Sequence, residues 1–266
     1  MKSLKHYIKS DKSYLISLSE KLLINKNYDI YNYRPTTREE LKASIQEHYN
    51  NDIYDLNDID VSNITDFSSL FYRDKNTGNK DFNISDWNVS NGMNFSLMFY
   101  ECKEFNFDIS KWNVSNGIDF SHMFSECHKF NCNLSDWDVS NGKNFSYMFN
   151  ECENFNQNLK YWNVSKCKDF SGMFKKCYKF NSNLSKWNVS NGEDFSSMFY
   201  NCQEFNSNLS KWDVSSGEDF AWMFGYCKKF NSDISKWNIS DKSILYINQM
   251  FYGCPIDDKY KPKGVQ

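Results

Sequence analysis

This 266-residue chain contains few prolines and glycines, has no long apolar run and carries little net charge. No stretch approaches the roughly 18 apolar residues of a membrane-spanning helix, so we expect no membrane insertion. Only 3 prolines and 10 glycines are present, which excludes collagen-like and proline-rich proteins. The 31 basic and 34 acidic side chains leave a net charge of −3, so the composition does not indicate binding to nucleic acid or to anionic lipid.

The first residues also lack the usual export signals. They are charged throughout and contain no apolar signal-peptide core, and no cysteine precedes Cys102, so neither a signal peptide nor an N-terminal lipid anchor is expected. The sequence by itself therefore points to the cytoplasm. What the chain does contain is 18% aromatic residues, which is typical of a folded, soluble protein with a buried core.

An internal repeat of 25 residues dominates the chain. One unit reads C-x-x-F-N-x-x-[IL]-S-x-W-[ND]-V-S-N-G-x-[ND]-F-S-x-M-F-x-x, and cysteine, methionine and phenylalanine markers keep the same step. The tryptophans that mark it are Trp87, Trp112, Trp137, Trp162, Trp187, Trp212 and Trp237.

Each unit predicts a short strand followed by a short helix. The segment from Ile109 to Val114 reproduces the L-x-x-L-x-L core of a leucine-rich repeat, with Trp112 and Val114 inward. Phe120, Met123, Phe124 and Cys127 then follow helical spacing, and Asp119 is the expected N-cap. Gly117 lies between the halves, where we expect a turn with positive φ.

Stacked coils would bury these apolar residues continuously, so we predict a leucine-rich-repeat-like solenoid with a short parallel strand and a short helix in each coil. Asparagines such as Asn131 would stack in register and bond the backbone of their own or the next coil. We assign residues 1–50 to an α-helical N-terminal cap, 51–254 to a solenoid of about eight coils, and 255–266 to a polar, frayed tail.

The N-terminal cap is predicted to contain two helices. Tyr14–Ile24 has a helical apolar pattern, and Thr37-Arg38-Glu39-Glu40 is a capping box that opens a second helix towards Tyr49. Their simplest role is to cover the exposed first coil.

The unit F-N-x-x-L-S-x-W-[ND]-V-S-N…F-S-x-M-F-x-x-C resembles the repeat of BspA-like leucine-rich-repeat surface proteins, over roughly residues 36–254. Related repeats occur in mycoplasma and listerial surface lipoproteins. The resemblance implies a leucine-rich-repeat-like solenoid at the cell surface, with roles in adhesion or protein binding, and it transfers no catalytic residue. The chain departs from the family in its glycine column, which includes Gly117, and in lacking a signal or lipid anchor.

Nine cysteines raise the question of disulfides or metal. Seven follow the core stripe, and we interpret them as buried structural thiols, with disulfides as the alternative. Cys132 is expected to be exposed, and it forms a local cluster with His122, Cys127 and His128 that matches no common zinc spacing. We therefore assign no metal ligand and no cofactor.

No constellation of residues indicates catalysis. A catalytic acid–base pair or nucleophile should break the repeat, and none visibly does, so we predict that the chain is not an enzyme.

Function in a stacked-repeat protein is expected at positions that the repeat leaves free. The position before each tryptophan varies most, and we call it the variable column. We predict that six of its residues bind a partner: Lys111, Asp136, Tyr161, Lys186, Lys211 and Lys236. Asp86 begins the same column.

A protein is the expected partner, because tyrosine is favoured at protein interfaces. A glycan that stacks on Tyr161 is the second hypothesis, and a purely structural spacer is the third. The column could also have drifted without function. Two columns of the predicted helix vary as well, and they include Tyr147, Tyr200 and Trp222. We expect a monomer.

Overall fold

The computed structural model describes residues 31–239, 247 and 249–265. The predicted helix over Tyr14–Ile24 lies outside the described residues. The second predicted helix is confirmed as α1, Arg38–Asn50. Its capping box is complete, because the backbone N–H of Glu40 donates to the Thr37 hydroxyl at 3.2 Å and the Glu40 carboxylate accepts from the Thr37 N–H.

Helix α1 covers the start of the repeat array. Leu41 and Ile45 are buried in the same apolar cluster as the coils. Just before the helix, Tyr33 forms a parallel bridge with Ile59, which ties the cap to the first coil. The described part of the cap therefore packs on the first coils, whose apolar residues would otherwise face solvent.

The predicted leucine-rich-repeat-like fold, with a strand and a helix in each coil, is wrong. The coils stack, but in the described residues they consist of turns, and their parallel pairing is limited to isolated bridges such as Asp119↔Asn144. Besides α1, the described helices are two 3-10 turns, Lys75–Gly78 and Asp258–Tyr260. No helix among the described residues has the length and apolarity needed to span a membrane.

Consecutive four-residue turns replace the predicted helix. The N–H of Met123 bonds the carbonyl of Phe120, and the N–H of Cys127 bonds that of Phe124. The third residue of each turn, His122 and Glu126, has φ of 54° and 63°, which an α-helix excludes. Such turns repeat every four residues, so they place their apolar residues inward at the spacing that we interpreted as helical.

The same turns join each coil to the next through the backbone. The N–H groups of Phe120, His122, Phe124 and Glu126 donate to carbonyls of the following coil at 2.7–2.9 Å. The parallel pairing that we assigned to the tryptophan segment therefore occurs on the phenylalanine side. Asp119 accepts from the N–H of Ser121 at 2.8 Å, so it caps a turn and not a helix.

The tryptophan segment alternates inward and outward as predicted, but it forms no strand. Trp112 and Val114 are buried, whereas Lys111 and Asn113 are exposed. Paired strands would lie about 4.8 Å apart. Trp87 and Trp112 stack at 6.5 Å, whereas Phe120 and Phe145 stack at 5.3 Å, so backbone pairing occurs on the phenylalanine side, where the rings are closer.

Columns of aligned side chains fill the interior. Phe99, Phe124, Phe149, Phe174 and Phe199 form one continuous stack with centroids 5.6–5.8 Å apart. Each buried indole donates its N–H to a carbonyl of the preceding coil, as Trp162 does to Leu134 at 2.9 Å. Contacts between coils therefore bury the apolar area of the rings and also supply a hydrogen-bond partner for each buried indole N–H.

The asparagine ladder is confirmed. The backbone N–H of Asn131 donates to Oδ1 of Asn106 at 2.8 Å, and the bond repeats one coil further on between Asn156 and Asn131. A column of surface amides therefore links successive turns and gives the backbone N–H groups of these turns the hydrogen-bond partners that they need.

Two expectations about small features were wrong. Gly117 does not adopt positive φ; a Cβ atom there would lie 2.2 Å from Cζ of Phe120, so the ring would have to shift. The tail is not frayed as expected, since Ile256 and Val265 are buried and the carbonyl of Tyr260 accepts from the N–H of Ile234.

Candidate interaction surface

The structure places all six predicted contact residues in one exposed column. Each precedes an inward tryptophan whose ring stacks on a neighbouring tryptophan or makes a tilted contact with a core phenylalanine. Tyr161 is 74% exposed, more than Tyr72, Met93, Tyr226 or Tyr252. The stacked tryptophans hold the column, so the outward side chains contribute little to the packing of the coils.

Charge is distributed unevenly along the variable column. Its first half alternates in sign through Asp86, Lys111 and Asp136. Its second half has Lys186, Lys211 and Lys236 on three successive coils. Like charges on neighbouring chain segments are destabilising, so the second half is arranged against its own stability.

Four lysines elsewhere on the stack are paired with a glutamate at the same position of a neighbouring coil. Ion pairs of 2.5–2.6 Å join Lys129 to Glu104, Lys168 to Glu193, Lys176 to Glu151 and Lys229 to Glu204. In the described part of the chain, no ion pair or hydrogen bond involves the side chains of the three lysines in the second half of the variable column. That half therefore presents ammonium groups without partners from the described chain.

A column of like charges can also be compensated, as the glutamates at Glu101, Glu126 and Glu151 show. Their partners are Arg73, the Tyr100 hydroxyl and Lys176, one for each. The Tyr100 pKa rises to about 12, through burial and through its bond to Glu126. Lys186 and Lys211 lack such compensation among the described residues. Lys236 does not, since the pKa of its neighbour Asp233 is lowered by hydrogen bonding to Ser235 and also by the Lys236 ammonium.

Lys160 extends the basic surface, and the sequence interpretation missed it. It occupies a position that is serine in the other coils, as at Ser135 and Ser185, and its ammonium lies 5.2 Å from the ring centroid of Tyr161. The break in the serine column was visible in the sequence. Lys160 and Tyr161 depart from the repeat together, at the point where alternation of charge ends.

Lys111 stands apart from the other lysines. It lines a shallow groove of about 670 Å³ near the first coils, together with Phe107 and Asp108. The ammonium of Lys111 contributes to a lowered pKa of Asp108, whose largest cause is hydrogen bonding to Ser110. Lys111 therefore has an acidic neighbour, whereas Lys186 and Lys211 have Asn183 and Asn208 at the matching position.

All nine cysteines are free. The core thiols donate to carbonyls of the preceding coil, as Cys177 does to Phe149 at 2.9 Å, and burial raises the pKa of Cys177 well above its usual range. These thiols are therefore packed, hydrogen-bonded and poorly nucleophilic.

Cys132 is half-buried and not exposed as expected. Its sulfur accepts from the N–H of Ile109 at 3.5 Å, the role that Ser182 has for Leu159. Cys127 bonds the Phe99 carbonyl in the core, so the two thiols serve different coil contacts. The described residues bring together no His, Cys, Asp or Glu group that could hold a metal ion.

A second row of variable residues forms an aromatic surface on the phenylalanine side. His122 stacks on Tyr147 at 4.9 Å, and Trp222 contacts both Tyr200 and Tyr252 at 5.8 and 5.3 Å. The sequence identified these columns as variable but did not show that their rings touch. Most of these rings pack on one another, so the row stabilises the surface of the stack.

The comparison with known families agrees with the repeat. The family described as "Mycoplasma protein of unknown function, DUF285" matches three overlapping stretches, residues 39–162, 116–207 and 143–260. The chain belongs to this family. The overlapping matches follow from the internal repeat, which offers several alignments of the same unit. No match was found among curated proteins or among solved structures.

Proposed function

We propose that this DUF285 protein is a non-enzymatic scaffold that binds a protein partner through its variable column. The observation that carries the proposal is the second half of that column, where Tyr161 and three lysines are exposed and no lysine side chain forms an ion pair or hydrogen bond with a described residue. Stability alone does not favour this arrangement, because four ion pairs at three other positions of the coil join a lysine to a glutamate of the neighbouring coil.

The architecture supports binding more than catalysis. Core side chains are committed to ring stacks, thiol–carbonyl bonds and indole–carbonyl bonds, and the surface asparagines bond the turn backbone. The exposed columns supply the chemical variety, and they lie in a row along the stack axis. An extended row of side chains suits a macromolecular partner, which can contact several coils at once.

The resemblance to BspA-like surface proteins supports a role in adhesion at the cell surface. In that role the partner would contact the same variable column, and the protein would lie at the cell surface. It predicts that antibody against the folded protein labels intact cells of the source organism. Labelling only after the cells are permeabilised would contradict it and leave the scaffold inside the cell.

Affinity capture tests the proposed function. The full chain is compared with a variant in which Lys111, Tyr161, Lys186 and Lys211 are all alanine, and captured proteins are quantified by mass spectrometry. We expect a defined protein that the wild type retains and the variant loses. A matched control removes Lys129 and Lys229, which are paired lysines at another position of the coil.

Two results would overturn the proposal. Equal capture by the wild type and the column variant would remove the variable column as the contact site. Binding of defined sugars on a glycan array, lost in the Tyr161→Ala variant and accompanied by no captured protein, would replace the protein partner with a glycan.

A further inference from the structure

The donors and acceptors around the second half of the variable column are distributed unequally. The column is flanked by exposed asparagines on both sides, Asn158, Asn183 and Asn208 on one side and Asn163 and Asn188 on the other. In each of them Oδ1 accepts from the backbone N–H two residues later, at 3.0–3.2 Å.

That bond decides which way each amide points. A backbone N–H can only donate, so the side-chain atom that faces it must be the oxygen. The Nδ2 group, with its two donors, is then directed away from the turn. The flanking asparagines therefore offer donors to the outside, while their acceptor oxygens are engaged.

The lysines complete a surface of donors. Lys160, Lys186, Lys211 and Lys236 supply ammonium groups, which donate and cannot accept. Two carboxylates stand in the flanking columns, on Asp213 and Asp233, and each already accepts from the N–H and the hydroxyl of the serine two residues later. We call this surface, Lys160–Tyr161 with Lys186, Lys211, Lys236 and the flanking asparagines, the donor strip.

We infer that the donor strip binds an acidic segment of the protein partner, which lies extended along the stack axis. This inference rests on the proposed function and deepens it by naming the chemistry of the partner. Carboxylates are the matching groups, because they are negatively charged and only accept when ionised.

The spacing of the strip fits an extended polypeptide. The tryptophans that follow the lysines stack at 6.3 Å between Trp187 and Trp212 and at 6.1 Å between Trp212 and Trp237. Alternate side chains of an extended chain lie about 6.6 Å apart, at about 3.3 Å per residue. Glutamates at every second position would therefore meet successive lysines. Tyr161 is the single ring on the strip and already has an ammonium over it, which offers little for stacking a sugar.

Defined peptides test the inference on the full chain. A fluorescent synthetic peptide in which glutamate alternates with serine is titrated and followed by anisotropy, beside the same peptide with glutamine in place of glutamate. We expect binding of the glutamate peptide only, weakening as salt is added because exposed charges are screened.

Charge reversal locates the site. The Lys186→Glu, Lys211→Glu double variant should bind the glutamate peptide about tenfold more weakly or worse, because like charges then face each other. The control is Lys129→Glu, Lys229→Glu, which changes the net charge equally away from the strip and should leave the affinity within about twofold. Thermal melts of both variants check that they fold.

The outcomes separate this inference from the proposed function. Loss of peptide binding in the strip variant, with the control unaffected, supports the acidic segment. Absence of peptide binding, equal loss in both variants, or binding only of a heparin oligosaccharide included as an anionic sugar would overturn it. If the four-alanine variant still loses a captured protein, the proposed function survives that failure, and the partner is not acidic.

Discussion

The two sides of each coil are held to the next coil by different means. On the phenylalanine side, backbone N–H groups of Phe120, His122, Phe124 and Glu126 bond carbonyls of the following coil. On the tryptophan side, the contacts between coils are made by side chains, through ring stacks and indole–carbonyl bonds. Backbone pairing constrains φ and ψ on the first side, whereas the second side leaves its outward positions free to vary.

The difference explains where function is proposed. Outward residues on the phenylalanine side include left-handed positions such as His122, which vary but whose rings pack on those of neighbouring coils, as His122 does on Tyr147. Lys186 and its neighbours in the variable column carry no such restriction. A site that must change its chemistry without disturbing the stack is therefore expected beside the tryptophans.

The largest expected effect comes from breaking the tryptophan side. Trp162→Ala removes a buried ring and the donor to the Leu134 carbonyl, and should cost about 3–5 kcal/mol of unfolding free energy. Trp222→Ala is the matched control, because Trp222 belongs to the half-exposed aromatic row. Urea unfolding measures both, and an equal loss in the two variants would contradict the tryptophan column as the main support of this side.

Overpacking the phenylalanine side should cost less. In Gly142→Ala the new Cβ would lie 2.3 Å from Cζ of the buried Phe145, so the ring must shift within its stack on Phe120, and we expect a loss of about 1–3 kcal/mol. At Gly225 the nearest atoms are 3.0 Å away on the half-exposed Trp222 and Tyr200, so Gly225→Ala should cost less. Thermal melts of the pair test the assignment, which fails if the order is reversed.

Asp194 lies on the phenylalanine side and forms parallel backbone bridges with Asp169 and Asp219 of the neighbouring coils. It therefore tests the effect of like charges along these bridges. Burial raises the pKa of Asp194, and the carboxylates of Asp169 and Asp219 add to the shift. Ionised Asp194 therefore opposes folding, and Asp194→Asn should add about 0.2–1 kcal/mol at neutral pH. Asparagine keeps the turn, as Asn144 does by accepting from the N–H of Ser146.

The pH dependence has a defined sign. Because the folded pKa is raised, the advantage of Asp194→Asn should grow as pH rises through that pKa and vanish on acidification, when the carboxyl is protonated in both states. Asp119→Asn is the control, since its bridge partners are Asn94 and Asn144. Chemical unfolding across acidic and neutral pH measures this, and a gain that persisted at low pH would contradict the charge explanation.

The smallest expected effect is in the variable column. Lys211→Glu places a carboxylate between Lys186 and Lys236 and should raise the unfolding free energy by about 0.2–0.5 kcal/mol at low salt, while weakening binding to an acidic peptide. Lys129→Glu should change stability the other way, because Lys129 is paired with Glu104. Melts at low and high salt compare the two, and a stability loss in Lys211→Glu would show that the lysine row is compensated.

Much of the burial pattern could be predicted from the sequence, but the backbone conformation could not. The inward positions of Trp112, Val114, Phe120 and Phe124 follow from periodicity, and all four are buried. Their secondary structure was predicted wrongly, because successive four-residue turns and a short helix share the same apolar spacing. The left-handed φ at His122 gives no signal in the sequence, since the same position accepts histidine, tyrosine, serine and tryptophan.

The variable column was predictable as a variable, outward position, and its members lie in one exposed column as expected, whereas their role in binding stays a prediction. Lys160 was missed because it lies outside the variable column, at a position that is serine in the neighbouring coils. The orientation of the asparagine amides was also out of reach, since it depends on which backbone N–H each Oδ1 meets. That hydrogen bond exists only once the turn has formed.

What the sequence by itself determined is the stack: identical units with inward aromatic residues can bury them only against copies of themselves, whatever the backbone conformation. Only the tertiary structure decided how the coils are joined, because the choice between strand, helix and turn depends on the distance between neighbouring coils. The same geometry turned the asparagine donors outward beside the lysines. The repeat thereby presents a row of hydrogen-bond donors, for which we propose an acidic partner segment.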